Sequence, residues 1–171
     1  MSAKRKRILL TLGDVAGIGP EIVARAWPQL VARCDPLVVG DVEVMRRALR
    51  EVGSEAAIGE ALGDVKQLPV LQATAVDLRG VAPGRVTAEG GRAAYDFLCR
   101  AIDMAMAGQA DAIVTAPLHK EGLKAAGLHH PGHTEILAER TGTEHFAMVL
   151  WGGGIAVAHV TLHTALRDVF A

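Results

Sequence analysis

At 171 residues the chain is long enough for one domain with a full core, or for part of a two-domain protein. Half of the residues are hydrophobic and 22% are charged, an ordinary globular composition that excludes a disordered chain. A formal net charge of −1 gives no whole-chain basic field for nucleic acid, and no apolar run reaches membrane-spanning length.

The basic start, Met1 to Arg7, reads as a solvated N-terminus. It fails as a secretory signal, because only residues 8–12 follow as an apolar run before Gly13-Asp14. Cys34 and Cys99 are the only cysteines, and there is no Cys-x-x-Cys. Two reduced, mostly buried thiols in a cytoplasmic protein are expected, rather than a zinc ribbon or a redox pair.

Residues 7–12 predict the first strand. It enters a glycine-rich turn, Gly13-Asp14-Val15-Ala16-Gly17-Ile18-Gly19-Pro20-Glu21. Glycine permits positive φ and close backbone approach. Pro20 and Glu21 suit the first turn of the helix that follows, and Pro28 predicts a break or kink near Trp27. No Gly-Lys-Ser/Thr follows the turn and the third glycine of a dinucleotide fingerprint is missing, so neither phosphate-loop signature is met.

A second strand is expected over 36–40, then a helix over 42–52 capped by Asp41 and closed by Gly53. Residues 54–64 are irregular. Residues 68–76 predict a strand, with Pro69 marking an edge or a strand start. Residues 77–85, with Gly80, Pro83 and Gly84, predict an exposed loop. Thr87 caps a helix over about 88–107, whose Ala94, Leu98, Ala101, Ile102 and Ala105 form an apolar face.

Residues 112–116 predict a central strand covered on both faces, ended by Pro117 and followed by His119 and Lys120. A short helix ends at Gly127. Thr134 predicts the N-cap of a helix running through Arg140. Strands over 146–151 and 155–161 flank Gly152-Gly153-Gly154 and should pair as a hairpin. The whole alternation is α/β: a mostly parallel sheet with helices on both faces. The expected division is a first domain over 1–127 and the start of a second, incomplete one over 128–171.

Ligands gather outside the carboxyl ends of strands in open α/β sheets, and that places the candidate chemistry. Lys120 follows the strand at 112–116 and can meet a phosphate or carboxylate as a point charge. His133 and Thr134 stand at a helix entry, where free N–H groups favour an anion. Asp14 can hold its glycine turn or contact substrate. His163 follows the last strand, whereas His159 is expected within it as a structural residue. Solvent exposure is expected for His129, His130 and His145. No His-Glu-x-x-His motif is present.

Four motifs occur in order: Gly13-Asp14-x-Ala16-Gly17-Ile18-Gly19-Pro20-Glu21, Val114-Thr115-Ala116-Pro117-Leu118-His119-Lys120, Gly132-His133-Thr134-Glu135, and Thr161-Leu162-His163-Thr164-Ala165-Leu166-Arg167-Asp168. Together they closely resemble the 4-hydroxythreonine-4-phosphate dehydrogenase family of vitamin B6 biosynthesis. Val15 stands where that family usually has proline. Family members are longer, and the match resembles their N-terminal half.

The resemblance implies an isocitrate/isopropylmalate-dehydrogenase-like fold, truncated here, and a homodimer with its site at the subunit interface. It implies oxidation of a phosphorylated hydroxy acid by NAD (or NADP), followed by loss of CO2. A divalent metal (zinc, magnesium or cobalt) held by three histidines would polarise the reacting oxygen. Carried over by motif, His133 and Thr134 contact substrate and His163 is the first metal ligand. Asp14 takes a substrate-side role and Lys120 a catalytic one, while the cofactor residues stay unassigned. A sister enzyme of threonate or erythronate 4-phosphate, or a non-catalytic phosphate-binding remnant, are the alternatives.

Overall fold

The computed structural model describes residues 5–61, 63–161 and 164–170. Four parallel strands form the main sheet in the order β5-β2-β1-β6: β1 (Arg7–Thr11), β2 (Asp35–Gly40), β5 (Val70–Gln72) and β6 (Ala112–Thr115). Leu10 faces Val38 on one side and Val114 on the other, so β1 is interior. Two short strands, β3 (Ala57–Ile58) and β4 (Gln67–Leu68), make a separate parallel ribbon.

Alternation along the strands fills two cores. Leu10, Leu12 and Val38 point to the face covered by α1 (Gly19–Arg33) and α2 (Val42–Glu51), where they meet Val23, Trp27, Val44 and Met45. Leu9 and Val39 point to the opposite face and meet Ala101 and Met104 of α3 (Ala88–Met106). Helices therefore cover both faces, as the alternating pattern predicts.

Local chemistry sets the helix starts. The Asp41 carboxylate accepts from the Val44 N–H, and the Thr87 hydroxyl accepts from the Gly90 N–H at 3.0 Å. Pro28 does not end α1, which runs on to Arg33. The expected break is overruled by packing, because Trp27 and Val31 on either side of the proline are both buried in the core.

Two more short helices follow β6. α4 (Lys120–Ala125) crosses α3 where Gly91 meets Gly122; a Cβ on Gly91 would stand 2.0 Å from the Gly122 carbonyl oxygen. α5 (His133–Thr141) seats Ile136 against Leu98, Ile102 and Leu123.

Other expectations are corrected. Among the described residues β6 pairs with β1 alone and lies at the edge of the sheet, and Val114 is 53% exposed. Its apolar composition fits a buried strand, but sheet order depends on long-range pairing that composition does not encode. The strand expected over 68–76 splits at Pro69, which has no N–H to donate and whose carbonyl accepts from Val38 N–H. The 77–85 loop is not a free excursion: Leu78 and Val81 are buried, and the Gly84 N–H donates to the Ala16 carbonyl at 2.7 Å.

The hairpin forms, but as the shorter antiparallel pair β7 (Val149–Gly152) and β8 (Ile155–Ala158). His159 lies just past β8 rather than within it. Both strands are exposed throughout, Trp151 at 78%. Beyond them the described chain makes a 3-10 turn at Leu166–Asp168. No helix among the described residues is long and apolar enough to cross a membrane.

Candidate functional site

The turn after β1 and the turn after β6 are stitched together. Gly13 has φ +62°, and a Cβ there would lie 2.2 Å from the Pro117 oxygen and 2.5 Å from the Ala116 oxygen. Only glycine fits both the dihedral and the space. The next residue, Asp14, donates its backbone N–H to the Pro117 carbonyl at 2.9 Å. Its carboxylate accepts from the Ala16 N–H at 3.0 Å, and a Cβ on Gly90, in the first turn of α3, would stand 3.4 Å from it. Asp14 thus holds its own turn, one loop away from the cleft described next.

Beyond Pro117 the chain lines a cleft of about 380 Å³. Lys120 at the start of α4 and His133, Thr134 and Glu135 in the first turn of α5 converge on it, with Pro117, Leu118, Pro131, Gly132 and Met148 completing the wall. Among the described residues Lys120 makes no ion pair, so its ammonium is available to a ligand anion. The first turn of α5 is preceded by Gly132, which offers no side chain to its N–H groups. Those groups and the partial positive charge of the helix end face the same cleft.

His133 is half-buried. Removal from water pushes its imidazole below the ordinary histidine range, while a hydrogen bond donated to the Ala116 carbonyl opposes the shift. A ring that stays neutral near pH 7 can accept a proton or a hydrogen bond from a ligand. The positive charge of the cleft then comes from Lys120, and Glu135 adds a carboxylate to the same lining.

The structure brings Lys120, His133 and Thr134 together as one wall, whereas Asp14, expected on the substrate side, does not line the cleft. Thr134 is not the N-cap of α5; the cap is Gly132 and the helix begins at His133, two residues earlier than a Thr134 cap would place it. Among the described residues no three His, Cys, Asp or Glu side chains converge, and His163, the one metal ligand expected in this chain, lies outside them, so no step is derived through a metal.

Sequence reasoning missed Glu135 and Met148 as cleft residues; nothing in their spacing marks them. It also misplaced His130. Rather than facing solvent, His130 stacks on Tyr95 and pairs with Glu139, while His129 and His145 are exposed as expected. His119 precedes α4 with its Nδ1 buried and without a partner. A larger depression of about 450 Å³ lies between α1 and the β3–β4 ribbon; it contains Arg25, Glu55 and Lys66 but no histidine.

A parallel α/β sheet with a cleft outside the carboxyl end of one strand, where Lys120, His133 and Thr134 meet, has the layout of the doubly wound α/β class. The chain belongs to the family described as pyridoxal phosphate biosynthetic protein PdxA, which residues 32–171 match. It is 42% identical to a 4-hydroxythreonine-4-phosphate dehydrogenase of Beijerinckia indica subsp. indica, over 94% of this chain and 49% of that one. It is 39% identical to a D-threonate 4-phosphate dehydrogenase of Bordetella bronchiseptica, over 94% of this chain and 48% of that one. The crystal structure of a 4-hydroxythreonine-4-phosphate dehydrogenase from Burkholderia phymatum superposes with a TM-score of 0.87 at 37% identity, covering 96% of this chain and 52% of that one. The chain spans about half the length of the curated relatives it matches.

Proposed function

We propose that the whole protein of which this fold is characteristic oxidises 4-phosphohydroxy-L-threonine with NAD and releases 3-amino-2-oxopropyl phosphate. The secondary alcohol would lose a hydride to NAD+ and a proton to solvent or a base; the resulting 3-keto acid would lose CO2, and the carbon that held the carboxylate would take up a proton. One observation carries the reading: Lys120, His133 and Thr134 line a single cleft at the carboxyl end of β6. In this reading the Lys120 ammonium and the α5 N–H groups bind anionic oxygens of the substrate. His133, neutral near pH 7, accepts a hydrogen bond from it, and the Thr134 hydroxyl orients it. Asp14 holds the neighbouring turn in place.

A second reading has specific support, because relatives of nearly equal identity carry the D-threonate 4-phosphate name. Both substrates present a phosphate and a secondary alcohol, so the cleft suits either. The test is NADH formation by the purified chain with each substrate in turn. Preference for 4-phosphohydroxy-L-threonine by a factor of about ten or more in kcat/KM supports the first reading. The reverse preference supports the second. Phosphate-ester binding without turnover supports a binding role for this chain alone, and the homodimer expected of the family is checked by light scattering in the same preparation.

A further inference from the structure

α5 brings His133 and Thr134 to the cleft, yet no side chain caps its start. The entry angle of an uncapped helix must be fixed by something else. Two residues before Gly132, the His130 ring stacks on Tyr95 of α3, with centroids 5.6 Å apart and planes inclined by 28°. Its Nε2 lies 2.7 Å from Glu139 Oε2, on the second turn of α5 itself. Its Nδ1 is buried without a partner. An orphaned buried nitrogen costs free energy, so hydrogen bonding alone does not account for the ring's position.

Resting on the functional reading above, we infer that His130 is a positioning residue for the cleft: its ring, wedged between Tyr95 and Glu139, sets the angle at which α5 presents His133 and Thr134. The two contacts are unequal. The His130 side chain is 19% exposed and Glu139 is 66% exposed, so water competes for the Glu139 carboxylate while the stacked face is shielded. The ring face carries the positioning and Glu139 steers its tilt. Arg140 pairs with Asp103 of α3 at 2.6 Å and Ile136 is fully buried, so the C-terminal part of α5 is anchored independently. Loss of the His130 ring therefore frees the helix entry and leaves its body docked.

The test uses the full chain and three variants, His130→Ala, His130→Phe and Glu139→Gln, titrated with inorganic phosphate while the His133 ring resonances are followed by NMR. His130→Ala should displace the His133 resonances and weaken phosphate binding roughly tenfold, with α3 amides still protected from exchange. His130→Phe keeps the stacked face and should restore binding to within about twofold; Glu139→Gln keeps an acceptor oxygen and should do the same. Unmoved His133 resonances in His130→Ala overturn the inference. So does His130→Phe behaving like His130→Ala, or a loss of α3 protection that parallels the loss of binding. If the parent chain binds no phosphate while the His133 resonances still move in His130→Ala and recover in His130→Phe, the substrate reading fails and the positioning role stands.

Discussion

The backbone N–H of Asp14 donates to the carbonyl of Pro117 at 2.9 Å, and this bond joins the two turns that frame the carboxyl end of the sheet. It forms because Gly13 lets the first turn approach closer than any side chain would permit. Gly13→Ala would force a Cβ to within 2.2 Å of the Pro117 oxygen in a positive-φ conformation. The variant should lose about 2–4 kcal/mol of stability, more than Gly108→Ala. Gly108 also has positive φ, but nothing lies within 4 Å of its Cβ position, so that change should cost about 1 kcal/mol. Urea melts of the two variants decide between strain and contact.

Ile136 is the buried anchor of α5, packed on Leu98, Ile102 and Leu123. Ile136→Ala should cost about 2–4 kcal/mol and weaken ligand binding, because the helix that carries His133 loses its seat. Denaturant unfolding monitored together with a phosphate titration reads both effects. Stability lost with unchanged affinity would separate α5 packing from the cleft.

His133 gives the pH dependence. Burial lowers its proton affinity in the folded chain, so between the folded and the ordinary histidine value the unfolded chain binds more protons. The stability contributed by neutral His133 is complete above the ordinary histidine range and is lost as the pH falls through it toward the depressed folded value. Between pH ~7.5 and ~5.5 the parent chain should lose more stability than His133→Gln. An NMR titration of the ring should place its midpoint below that of a free histidine; a midpoint at or above it refutes the burial argument.

Much of this arrangement is legible in the sequence where local chemistry decides. Asp41 and Thr87 cap α2 and α3, and the Gly13–Glu21 stretch announces its own turn and helix. What escapes is long-range. The edge position of β6 depends on which strands pair with β1, and no property of residues 112–115 reports that. The stacking of His130 depends on Tyr95 from another helix, and Pro28 is carried through α1 by buried neighbours rather than by propensity. Lys120, His133 and Thr134 could be proposed from strand ends and motif resemblance; their convergence required the crossing of α3 with α4 and α5.

Metal binding separates the chain from the implied three-histidine centre. Among the described residues no three donors converge, so the chain alone should bind zinc, magnesium or cobalt more weakly than about micromolar and with little selectivity. Calorimetry with each ion measures this. Tight, stoichiometric uptake of one ion would mean that donors outside the described residues complete a site.

The most direct test is a titration of the chain with 4-phosphohydroxy-L-threonine, read residue by residue in amide and imidazole NMR spectra. The account predicts shifts concentrated at residues 117–120 and 132–135, strongest at Lys120, His133 and Thr134, and abolished in a Lys120→Ala, His133→Ala double variant that remains folded. Shifts centred instead on Arg25, Glu55 and Lys66, beside the larger depression between α1 and the β3–β4 ribbon, would contradict it.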